Sequence, residues 1–130
     1  MKDNQRIQIH VEFSSPFLTR GSPSLLTDYD SCRFAGELGS SGRVSKSSSL
    51  CFKSSPGVEF ADLRSHWNEL NLRLEKNQSK LNSLVDLELD VSVTIEVILE
   101  GDLPFHRIPA ELVRFASSVS SSIDIDVYNE

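Results

Sequence analysis

The sequence predicts an α+β fold: a single, mainly antiparallel sheet of about five strands with two main helices packed on one face. Three observations carry this. The run from Val85 to Leu99 alternates apolar and polar residues almost without fault. The segment Asp62 to Leu84 carries leucines and Trp67 at helical spacing. A second helical stripe, opened by Pro109, is followed by the alternating Ile123–Val127.

Taken in order, Ile7, Ile9, Val11 and Phe13 alternate with Gln8, His10 and Glu12, the period of a half-buried strand. Pro16, Gly21 and Pro23 then punctuate the chain. Ser24 can cap a short helix through Leu25, Leu26 and Tyr29. Ser31 to Ser55 is rich in Ser and Gly and reads as a hairpin with a flexible connection around 36–49. Its best strand is Ser49–Ser54, with Leu50 and Phe52 on one face. Pro56-Gly57 marks a turn.

The helix from Asp62 to Leu84 buries Leu63, Trp67, Leu70 and Leu74, and Leu81 and Leu84 resume the stripe. Asp62 suits its N-cap, and Glu69 with Arg73 makes an i,i+4 ion pair. In the long alternating run, Val85, Leu87, Leu89, Val91, Val93, Ile95, Val97 and Leu99 share one face. Asp86, Glu88, Asp90, Ser92, Thr94 and Glu96 share the other. An antiparallel strand with one wet face has this period, and its length predicts a bend or a connection in its first residues. Pro109 opens a helix with Leu112, Phe115, Ala116 and Val119 inward, Ser120-Ser121-Ser122 ends it, and Ile123, Ile125 and Val127 form the last strand.

The whole chain, residues 1–130, makes one domain of globular composition, 38 % hydrophobic and 25 % charged. Neither a secretory leader nor a membrane span is recognisable, so the cytoplasm is the expected compartment. Cys32 and Cys51 form no CxxC pair and read as reduced thiols. The net charge of −6 is lopsided: from Ser83 onward two Lys/Arg face ten Asp/Glu. Such an acidic half repels nucleic acid and membrane surfaces and suits a basic partner. Acidic residues also simply keep an exposed sheet face hydrated.

Chemistry is sparse. His10, His66 and His106 lie on different elements with no metal-ligand spacing, and no nucleophile elbow or phosphate-binding glycine loop is present. The His106-Arg107 pair could hold an anion, and Asp124 with Asp126 could serve acid–base work or a cation. A hydrated loop and a hydrated strand face are the simpler account of both. No catalytic residue, metal or cofactor is expected.

Ser49-Leu50-Cys51-Phe52-Lys53-Ser54, Asp62-Leu63-Arg64-Ser65-His66-Trp67, Ile108-Pro109-Ala110-Glu111-Leu112 and the closing Ile123-Asp124-Ile125-Asp126-Val127-Tyr128 together resemble a bacterial family known as domain of unknown function 4279. The likeness covers roughly the last two thirds of the chain, with Leu50 where the family leads one to expect Trp. The resemblance transfers no catalytic residue. It implies kinship with small acidic immunity proteins encoded beside polymorphic or contact-dependent toxins. The expected function is therefore non-catalytic: binding a basic toxin domain, for example a nuclease, and blocking its active site, with no direct nucleic-acid or membrane contact. The expected contacts are Asp90, Glu96, Asp124, Asp126, His10 and Glu12. Alternatives are a small-ligand-binding protein and a self-associating scaffold domain.

Overall fold

The structure is a computed structural model that describes residues 6–18, 26–38, 42–57, 61–83 and 89–129. Its elements run β1 (Ile7–Ser15), β2 (Ser31–Arg33), β3 (Ser48–Lys53), α1 (Leu63–Lys76), α2 (Gln78–Ser83), β4 (Asp90–Leu99), α3 (Ala110–Ser118) and β5 (Ile123–Asn129). The five strands form one sheet in the order β2-β3-β1-β4-β5. All neighbours are antiparallel except β4 and β5, which run parallel across the α3 crossover. The architecture is α+β, with α1 and α3 the substantial helices.

Alternation sorts the sheet into two faces. Ile7, Ile9, Val11 and Phe13 of β1, Leu50 and Phe52 of β3, and Val93, Ile95 and Val97 of β4 are buried. They share a core with Leu63, Trp67, Leu70 and Leu74 of α1 and with Leu112 and Ala116 of α3. The helices therefore sit on this face. Phe13 and Phe52 meet edge to face, with ring centroids 5.7 Å apart, and Trp67 meets Phe115 at 5.2 Å. At about 1.5–3 kcal/mol for each large apolar side chain, this layer is the main source of stability.

The helix expected over Asp62–Leu84 is two helices. Asp62 caps α1 by accepting the Ser65 N–H at 2.8 Å, and hydrogen bonds from the Ser65 hydroxyl and then this N–H hold its carboxyl below the usual carboxylate range. Asn77 ends α1 and the chain restarts as α2. The break has a cause: the buried Asn77 side chain accepts the Thr27 N–H at 2.8 Å and donates to the Thr27 carbonyl at 3.0 Å. It thereby binds the preceding loop as a strand would. Leu84 lies outside the described residues, as do Val85–Glu88, and the long strand is described from Asp90.

The short helix expected after Ser24 is absent among its described residues. Ser24 and Leu25 lie outside them, and residues 26–30 form bends pinned by Asn77 and Arg73. Hydrogen bonds to side chains on α1 replace the intrahelical ones. The β2–β3 hairpin forms as expected, and Ser48 and Ser49 of the Ser/Gly-rich connection belong to β3. The described ends of that connection bond to each other through Gly36 N–H to Ser45 C=O, 2.8 Å, and a Leu38–Val44 bridge. Cys32 and Cys51 are free thiols on adjacent strands, but Cys32 pairs with Leu50 and Cys51 with Ser31. They point to opposite faces, out of reach of each other.

After α3, Ser120 takes a left-handed conformation (φ 57°). The Ser121 N–H returns to Ala116 C=O at 2.8 Å and the Ser120 N–H to Ser117 C=O at 3.1 Å. This pair of bonds is a Schellman ending, here with serine where glycine is usual. It turns the chain into β5.

Candidate functional site

The face without helices is built from the even-numbered residues of β1, β4 and β5. Register makes the rows explicit. One row runs Lys53–His10–Thr94–Asp124, and the next runs Gln8–Glu96–Asp126. A third runs Cys51–Glu12–Ser92, and Asp90 pairs with Ser14. All six residues expected from sequence to contact a partner (His10, Glu12, Asp90, Glu96, Asp124 and Asp126) thus lie on one side of the sheet. The alternation of three strands placed them there.

The face grades from half-buried to open. His10 Nε2 lies 2.9 Å from Gln8 Oε1 and 3.4 Å from a Glu96 carboxylate oxygen. Burial lowers the His10 pKa, and the pull of Glu96 in the other direction does not restore it. Burial raises the Cys51 pKa, and the nearby Glu12 adds to it. Toward the edge, Glu96 stands beside Asp126, and Asp124 and Asp126 are exposed. Neither aspartate has an ion-pair partner among the described residues. Like charges directly opposite on neighbouring strands are destabilising. The outer edge of this face is therefore an unneutralised acidic strip.

Three polar clusters went largely unseen in the sequence; two lie between α1 and the sheet, and the third ties the end of α1 to the loop at Thr27. Ser54 Oγ accepts the Ile9 N–H at 2.8 Å and lies 2.7 Å from His66 Nδ1. Both residues are buried, and His66 Nε2 has no hydrogen-bond partner among the described residues. Burial lowers the His66 pKa, favouring the neutral ring. A serine–histidine pair suggests nucleophile chemistry, but this hydroxyl is sealed beneath α1 and welds that helix to β1. Arg73 is the second cluster. It pairs with Glu69 (2.6 Å) and Asp30 (2.9 Å), donates to the carbonyls of Asp28 and Lys53, and lies over the Phe52 ring. Burial works to lower its pKa, but the bonds to Glu69 and Asp30 outweigh that and leave it raised. Asn77 is the third. Only the Glu69–Arg73 spacing was legible beforehand, because the other partners come from distant segments.

On the helix side, an open cleft of about 450 Å³ lies between the end of α3 and the start of β5, lined by Val113, Ala116, Ser117, Ser120, Ser121 and Ile123. His106 and Arg107 are exposed in the loop before α3 and do not line it. No group of three or more His, Cys, Asp or Glu suited to a metal ion occurs among the described residues. No helix among them is long and apolar enough to cross a membrane. Comparison with protein-family models, curated proteins and solved structures finds no match for this chain.

Proposed function

We propose that the chain is a non-catalytic immunity protein that neutralises a basic toxin domain by covering its active site with the acidic side of the sheet. One observation carries the reading: Glu96, Asp124 and Asp126 form a strip at the sheet edge in which Glu96 faces Asp126 and neither aspartate has a cationic partner among the described residues. A strip of like charge is tolerable in the free protein and favourable against a cationic one, where it also speeds encounter. The charge balance after Ser83 and the resemblance to domain of unknown function 4279 support the same partner class.

The test begins with the gene beside this one. A toxin-like neighbour is expected; its purified C-terminal domain should bind the chain and lose its activity. Asp124→Lys with Asp126→Lys should weaken that binding by about tenfold or more and flatten its salt dependence. A neighbourhood without a toxin, or affinity unchanged by the charge reversal, overturns the reading.

A further inference from the structure

β5 closes one edge of the sheet and is seven residues long, whereas β2, at the other edge, has three. An edge strand presents unpaired N–H and C=O groups along its open side, a template for another strand. Proteins commonly cover such an edge or crowd it with charge. Among the described residues nothing buries β5: every residue from Asp124 to Asn129 is exposed. Its helix-side residues are apolar and uncovered. Ile125 and Val127 are 45 % and 50 % exposed, although their ladder partners Ile95 and Val97 are fully buried. Val113 of α3 is 47 % exposed and, with Ile123 at the start of β5, lines the open cleft at the end of α3. The opposite side of the same strand carries Asp124 and Asp126.

We propose that the open edge of β5 docks an extended segment of a cationic protein as a sixth strand, its basic side chains set against Asp124 and Asp126 and its apolar ones against Ile125 and Val127. This rests on the cationic partner proposed above and supplies the way in which it is held. Backbone bonds give affinity in such strand addition, and alternate side chains give selectivity. Charge chooses the occupant. A second copy of the chain, paired antiparallel in the register that matches the whole of β5, sets Asp126 against Asp126, which opposes association. A strand with Lys or Arg at those positions turns the same repulsion into attraction, and Glu96, one strand further in, is within reach of such long side chains.

The experiment uses three synthetic peptides as long as β5: alternating lysine and valine, the same peptide N-methylated at alternate residues so that its backbone cannot pair, and alternating glutamate and valine. Binding is read from the amide resonances and hydrogen exchange of the full chain. The Lys-Val peptide is expected to shift the Ile123–Asn129 amides and slow exchange on the open side, with both controls weaker by about tenfold or more. Equal binding of the N-methylated peptide, shifts confined to β1, or no binding at millimolar peptide overturns strand addition. So does a concentration-dependent dimer in light scattering that protects β5 without any peptide. In a complex with a toxin domain, β5 amides that still exchange freely reject the edge while leaving the acidic-face reading intact. Loss of toxin binding altogether rejects that reading instead.

Discussion

β1 and β5 are written in the same pattern and meet opposite fates. Each alternates branched apolar residues with polar ones, and each places its apolar set on the helix side of the sheet. Ile9 is fully buried and Ile125 is nearly half exposed. The difference lies in the neighbours. β1 has a strand on either side and α1 against it, whereas β5 has one strand beside it and no helix that buries its apolar side chains. Alternation therefore specifies a strand and assigns its faces; coverage is decided by which helix reaches it.

The strongest test of that contrast is a pair of truncations. Ile9→Ala should destabilise the protein by about 2–5 kcal/mol, and Ile125→Ala by less than about 1 kcal/mol. Urea denaturation measures both, and equal losses would mean that β5 is as well covered as β1. Next in size is Asn77→Ala, which strips the Thr27 N–H and C=O of the side chain that binds both. A cost of about 1–3 kcal/mol is expected, together with faster hydrogen exchange at the Thr27 amide. A neutral result would show that the covered half does not depend on this tie.

A third prediction concerns pH. The His66 pKa is lowered in the folded state by burial, so below its ordinary value of 6.5 the unfolded chain takes up a proton that the folded one refuses. The stabilising neutrality of His66 is present above that value and is lost as pH falls. His10, also lowered, acts with the same sign. The unfolding free energy from urea titrations should drop between about pH 7.5 and 5.5, by no more than about 1.4 kcal/mol per pH unit for each histidine, and drop less in His66→Gln. An identical slope in the variant removes His66 from the cause. The smallest effect belongs to the open edge. Asp126→Asn relieves the Glu96–Asp126 repulsion and should raise stability by about 0.2–1 kcal/mol in low salt, with the gain shrinking as salt is added. A loss on thermal melting would show that Asp126 is satisfied in the free protein.

Much of this was legible in the sequence because it is local. The strands, both main helices, the Asp62 cap and the common face of the six candidate contacts all follow from spacings of two or of three and four residues. What escaped depends on groups far apart in the chain. The break at Asn77 needs Thr27, and the Ser54–His66 pair needs α1 laid on β1 and β3. The bends that replace the helix expected after Ser24 need Arg73 and Asn77. The exposure of β5 was equally hidden, since its residues alone do not tell where the second helix stops.

The central position of β1 also has a consequence for how the chain is made. β1 is made before β4, one of its two partners, and Ile7 cannot pair with Val97 until the whole segment between them has emerged. Distant pairings slow folding, and a waiting apolar strand is prone to aggregate. The Ile7–Phe13 strand, central in the finished sheet, thus waits for one of its two neighbours while the segment between them is made.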